Sequence, residues 1–116
     1  MAENKLADMS TEFAIQILKL TDSIKGHYSL SNQLERSGTS IGANIREAQY
    51  AHGKADFIAK FQIALKEASE TGYWLELLYR TNYISKSEYQ SLDSACTSIR
   101  VMLISSINTA KENSHG

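Results

Sequence analysis

The stretch SGTSIGANIREAQ, residues 37–49, decides how this chain folds, because it has helical spacing but a composition that disfavours an isolated helix. Gly38 and Gly42 each cost roughly 1 kcal/mol relative to Ala in a helix interior. The Ser, Thr and Asn side chains compete with the helix by bonding their own backbone. The G-x-x-x-G spacing of the two glycines lets two helix backbones approach closely. The stretch therefore predicts a helix stabilised by close packing against a neighbour.

Helical periodicity extends outward from this stretch along almost the whole chain. The apolar spacing predicts four helices, over residues 10–25, 30–51, 54–80 and 86–111, followed by a frayed tail. Gly26 and Gly53 fit the first two breaks, and Ser85 with Glu88 forms a capping box for the fourth helix. No segment alternates as a strand would, and the chain has no proline. We expect one all-α domain, an antiparallel up-down-up-down four-helix bundle.

Length and composition limit the classes of protein to which this chain can belong. A chain of 116 residues is large enough for one ordinary core and too short for two. No apolar run approaches the ~20 residues of a membrane span, and the first residues do not resemble a signal peptide. The single cysteine, Cys96, cannot form an internal disulfide. These features predict a cytoplasmic protein with no membrane association.

The third predicted helix carries more apolar surface than one core needs. At about 100° per residue, a second apolar stripe lies roughly opposite the core face, with acidic residues beside it. A lone Trp and a few aliphatic residues are common on protein surfaces, so the alternative is that the stripe is ordinary surface with no binding role. We interpret it as an oligomer interface in which the acidic residues pair with Arg36 or Arg46 of a neighbouring subunit. The predicted interface consists of Ile63, Glu67, Glu70, Trp74 and Leu77.

Three polar residues of the second helix, Ser40, Asn44 and Glu47, line one edge of its core face at spacings of four and three. They favour a hydrogen-bonded seam that fixes helix register, rather than a ligand or metal site. Asn44 is predicted to be substantially buried and bonded to a neighbouring helix or to its own preceding turn. Replacing it with Ala should then cost about 1–3 kcal/mol.

Catalytic and metal-binding patterns are missing from the sequence. A di-iron bundle needs Glu-x-x-His pairs, and no Glu precedes a His by three residues. The three histidines form no ligand pair at helical spacing, and Cys96 lies on an apolar stripe, where it is typical of inert core. The sequence therefore predicts no enzyme and no cofactor.

A nucleic-acid-binding surface has weak support from charge. The chain carries 12 Lys and Arg against 13 Asp and Glu, a formal net charge of −1. Phosphate binding usually leaves a basic stripe, and composition shows none. A basic surface could still form by assembly of several subunits, which would bring together copies of Arg46, Lys54 and Lys60. These three residues are the predicted nucleic-acid contacts.

Residues 30–85 closely resemble the four-helix bundle proteins of the ribosomal intervening-sequence family, bacterial proteins encoded within inserts in large-subunit ribosomal RNA genes. The blocks SIGANIRE (residues 40–47) and ALKEASETGYWLEL (residues 64–77) carry the resemblance. It implies small bundles that assemble as homopentameric rings and have no assigned catalytic residues. A related branch, the accessory proteins of diversity-generating retroelements, is implied to be a basic pentamer that handles nucleic acid.

The residue patterns and the family resemblance together leave two functions. One is a non-enzymatic, self-associating helical protein that serves as a scaffold or binding protein. The alternative is an RNA- or DNA-associated protein linked to ribosomal RNA or a mobile element. A metal or small-molecule site in the polar seam is a third, less favoured possibility.

Overall fold

Four helices make up the part of the chain that the structure, a computed structural model, describes: residues 2–113, with side chains from residue 4. This range contains no strand, so the all-α prediction is confirmed. The helices are α1 (Ala2–Ser23), α2 (Tyr28–Ala48), α3 (Lys54–Arg80) and α4 (Lys86–Asn113). No helix among these residues is long and apolar enough to cross a membrane.

The observed bounds agree with the sequence for α3 and differ elsewhere. The α1 helix begins eight residues before the predicted start, because fully buried Leu6 extends its core stripe toward the N-terminus. The α2 helix covers 28–48 rather than 30–51, and residues 49–51 continue as turns. The α4 helix starts where predicted. It continues two residues beyond the predicted end at 111, and residues 114–116 of the expected frayed tail lie outside the described range.

The two glycines of the opening stretch lie where α2 meets α1. A Cβ atom on Gly38 would stand 3.1 Å from two side-chain carbons of Ile17, and one on Gly42 would stand 3.2 Å from Ser10 Oγ. Such distances are at the limit of real contacts, so the missing side chains permit this approach. The predicted role of the G-x-x-x-G spacing in close packing is confirmed.

Side-chain contacts join the consecutive helices α2, α3 and α4. Between α2 and α3, the Ser37 and Thr71 hydroxyls share a hydrogen bond of 2.8 Å near one end of the pair. Nearer the other end, Lys60 lies 3.4 Å from Glu47. Between α3 and α4, the Tyr79 and Tyr89 rings stack with centroids 4.7 Å apart. The α1 helix packs on α4 as well, less closely than each consecutive pair packs, which leaves open space along the α1–α4 junction.

Candidate functional site

The predicted second stripe of α3 is partly buried in its own chain. Ile63 is 42% exposed, whereas Trp74 packs against the core and Leu77 is half-buried. The expectation that Trp74 lies off the intramolecular packing surface is therefore wrong. Because Trp74 is only about a quarter turn from the centre of the core face, its large ring can pack against core residues. Ile63 is the exposed member of the stripe.

Tyr73 enlarges this apolar surface, although it was not among the residues predicted from the sequence. Its ring is 55% exposed and lies beside that of Trp74, with centroids 5.2 Å apart. The signal was present in the sequence, since Tyr73 and Ile63 lie within about 80° of each other on the helix. The Trp74 Nε1 donor is buried and has no hydrogen-bond partner among the described residues. The indole is therefore held by apolar packing.

Arg36 of α2 holds both acidic residues of the predicted interface. Its guanidinium lies 2.6 Å from Glu70 and 3.3 Å from Glu67, both within the same chain. The hydrogen bond to Glu70 is the main cause of a raised Arg36 pKa, followed by the charge of Glu67. Within one chain these glutamates bind Arg36, and their pairing with Arg36 or Arg46 of a neighbour stays a prediction. The ion pairs of Arg36 with Glu67 and Glu70 join α2 to α3 beside the apolar stripe.

The predicted polar seam bonds mostly within its own helix. Ser40 Oγ donates to the carbonyl of Arg36 at 2.6 Å, and the Asn44 amide donates to the carbonyl of Ser40 at 2.9 Å. Glu47 crosses to α3 through Lys60. Asn44 is half-buried rather than fully buried, and its bond is to its own preceding turn. The hydroxyl bond that joins helices in the core belongs to the Ser37–Thr71 pair.

This geometry lowers the expected effect of replacing Asn44. The Ser40 carbonyl keeps its helical backbone partner when the side-chain amide is removed, and Ala has the better helix propensity. We expect Asn44→Ala to change the free energy of unfolding by less than about 1 kcal/mol, measured by urea denaturation. A loss of about 2 kcal/mol or more would show that the amide makes a contact essential to the bundle.

The three predicted nucleic-acid contacts do not form a cluster of free cations. Arg46 donates to Thr11 Oγ1 of α1 at 3.2 Å, and Lys60 pairs with Glu47. Lys54 is exposed at the start of α3. Within one chain, two of the three are engaged with neighbouring helices.

Metal binding and thiol chemistry are the two kinds of site to consider for Cys96, the histidines and the acidic residues. No group of three or more His, Cys, Asp or Glu residues there is arranged to hold a metal ion. Cys96 is buried in the α3–α4 packing, with Sγ 3.3 Å from the carbonyl of Ala68. Burial raises the pKa of its thiol from 9.0 to about 11. The thiol is therefore protonated at neutral pH and poorly nucleophilic.

The raised thiol pKa gives a prediction with a definite sign. Between pH 9.0 and about 11 the unfolded thiol loses its proton before the folded one does. The Cys96 contribution to stability is thus complete below the lower value and falls as pH rises, by at most about 3 kcal/mol over the interval. Urea denaturation at pH 8 and at pH 10.5 should show a smaller loss for Cys96→Ala than for the wild type. Equal losses would contradict this assignment.

The four-helix chain matches a known protein family over most of its length. Residues 2–105 match the family described as 23S rRNA-intervening sequence protein. The chain belongs to the 23S rRNA-intervening sequence protein family. Its bundle is also similar to a crystal structure from Bacteroides thetaiotaomicron VPI-5482, described as a protein with unknown function from the S23 ribosomal protein family. The two share 50% sequence identity over 93% of this chain and 99% of that chain, with a TM-score of 0.88. No curated protein gives a significant match.

Membership of the 23S rRNA-intervening sequence protein family explains the four-helix architecture and assigns no chemistry to it. The related structure is itself of unknown function. The surface formed by Ile63, Tyr73, Trp74 and Leu77, here called the α3 apolar surface, is therefore the candidate site that the geometry favours. It can bind an apolar partner surface.

Proposed function

We propose that this protein is a non-enzymatic, self-associating bundle that acts as a scaffold or binding protein. The observation that carries the proposal is the α3 apolar surface, where Ile63 and Tyr73 are 42% and 55% exposed. The opposite side of the same helix is fully buried in its own core, at Phe61, Ala64 and Leu75 among others. A helix with apolar side chains on two sides suits burial on both.

The proposed assembly is a ring of five, a number taken from the family resemblance. A ring uses two dissimilar surfaces on each subunit, so the α3 apolar surface must meet a different patch on its neighbour. Two exposed apolar pairs at i, i+3 spacing are candidates for that patch. They are Ile15 with Leu18 on α1, and Val101 with Ile104 on α4. Each pair is large enough to anchor a contact centred on Ile63.

Native mass spectrometry of the wild-type protein tests the proposal by counting subunits. We expect a dominant species of five chains of 12.9 kDa each, about 65 kDa. A different closed oligomer would retain self-association and reject the number five. A protein that is monomeric throughout the micromolar range would reject the function itself.

The nucleic-acid alternative draws on the family's description, which names 23S ribosomal RNA, and on the resemblance to retroelement accessory proteins. It requires assembly to gather Arg46, Lys54 and Lys60 from several subunits. A filter-binding titration with ribosomal RNA and duplex DNA tests it, because affinity from phosphate contacts falls steeply with salt. Retention that disappears as salt rises would support this alternative, and no retention at low salt would reject it. In either case we place the protein in the cytoplasm, where its single buried thiol stays reduced.

A further inference from the structure

We propose that the groove between α1 and α4 binds a basic amphipathic helix from a partner protein. The groove lies along the α1–α4 junction, and no residue of α3 lines its cavities. Self-association through the α3 apolar surface and capture of a partner in the groove are therefore separate activities. The groove has an apolar floor, an acidic edge and a length that together select this kind of ligand.

The floor of the groove is apolar because α1 and α4 do not close completely over the core. A cavity of about 410 Å³ lies between them. Phe13, Leu92 and Ile99 are core residues at its base, and partly buried Met9 and Ala95 pack against them. Apolar side chains of a ligand would therefore be buried against existing core residues.

The edge of the groove that α1 forms is acidic. Asp8 and Glu12 line it from exposed positions on α1, and no Lys or Arg lines this cavity. The Glu12 carboxylate accepts a hydrogen bond from Gln16 at 3.0 Å, and no salt bridge between residues 4 and 113 involves either acid. These unpaired carboxylates favour a ligand that carries Lys or Arg beside its apolar anchors.

The length of the groove suits a helix. Gln16, Ser91 and Leu92 also line a second cavity of about 480 Å³, which continues between the helices to Ser23 and Ser87. Glu88 and Lys19 line this extension. Residues 8 to 23 of α1 span about 22 Å, the length of a helix of about four turns. An amphipathic helix that places anchors every three or four residues fits such a groove.

A second copy of this chain is a poorer occupant. The exposed apolar pairs Ile15–Leu18 and Val101–Ile104 each cover about one turn of helix. Neither supplies the run of three or four successive anchors that a groove of this length would bury. On α3 the exposed Ile63 and Tyr73 are ten residues apart, so they do not form such a run either, and the geometry favours a foreign helix.

The test uses a fluorescent synthetic peptide of about 15 residues, with Leu at spacings of three and four and Lys on the flanking positions. The same peptide with Glu in place of Lys is its control. Fluorescence anisotropy is measured with wild-type protein and with two double variants, Asp8→Lys/Glu12→Lys and Asp22→Lys/Glu112→Lys. All four positions are exposed, and both variants change the net charge equally. Asp22 and Glu112 do not line the groove, so that variant controls for nonspecific attraction.

We expect the Lys peptide to bind wild-type protein and the Glu peptide to bind at least about tenfold more weakly. Asp8→Lys/Glu12→Lys should weaken the Lys peptide about tenfold, and the control variant should change affinity less than about twofold. Ala95→Leu, which narrows the floor, should also weaken binding. Absence of binding, or equal weakening by the two charge variants, would overturn the proposal. A fall in the mass of the oligomer for Asp8→Lys/Glu12→Lys alone would overturn it too, because a second copy would then occupy the groove.

Discussion

Replacing Ile63 with Asp is expected to reduce the particle mass to that of a single 12.9 kDa chain. Ile63 is 42% exposed in the isolated bundle, so a carboxylate there stays hydrated and the fold tolerates it. At an interface the same carboxylate would be buried without a partner, because Arg36 is already bound by Glu67 and Glu70. Burying an unpaired charge costs several kcal/mol per contact, and a ring repeats the contact at every subunit.

Light scattering and circular dichroism measure this effect together. Ala43→Asp is the control, since Ala43 is exposed on α2 and lies outside the α3 apolar surface. We expect it to keep both the wild-type mass and the helical signal. Trp74→Ala is a poorer variant, because Trp74 packs against its own core and its loss would destabilise the bundle. An Ile63→Asp protein with the wild-type mass would exclude Ile63 from any interface.

Replacing Gly38 with Val is expected to cost about 3 kcal/mol or more of folding free energy. A Cβ there already meets the fully buried Ile17 side chain at 3.1 Å, and branching at that atom adds two methyl groups in the same space. Overpacking a core by this amount typically costs about 1–3 kcal/mol, and separation of α1 from α2 adds to it. Urea denaturation in the Ile63→Asp background measures the loss without a contribution from assembly.

Gly72 provides the matched control for this prediction. It also lies inside a helix, and a Cβ built on it meets no atom within 4 Å. Gly72→Ala should therefore show the helix propensity gain alone, a stabilisation of about 0.5–1 kcal/mol. If Gly38→Val and Gly72→Ala changed stability by similar small amounts, close packing of α1 on α2 would not explain the glycines.

The fold was predictable wherever local chemistry sets it. The capping box forms as expected, since Ser85 Oγ accepts from the Glu88 amide at 3.0 Å and the Glu88 carboxylate accepts from the Ser85 amide at 2.8 Å. The early start of α1 had a signal in the helical spacing of Leu6 and Phe13, although Ser10 resembles a helix start. Neither the spacing of the glycines nor the apolar period identifies α1 as the helix that Gly38 contacts. That contact depends on how α1 and α2 are placed in space.

The candidate site was less predictable because it depends on which helix faces meet. The sequence places Glu67 and Glu70 beside the stripe, but their partner depends on how α2 is rotated against α3. That rotation brings Arg36 onto both carboxylates within one chain. Trp74 likewise packs against the core, although a helical projection of α3 alone leaves it at the edge. Exposed Ile63 is the part of the predicted interface that α2 leaves uncovered.

Sedimentation equilibrium of the wild-type protein over a micromolar dilution series gives its molar mass, and with it a direct test of self-association. We expect a mass several times 12.9 kDa that declines only at the lowest concentrations, with about 65 kDa for a ring of five. A mass of 12.9 kDa at every concentration would contradict self-association.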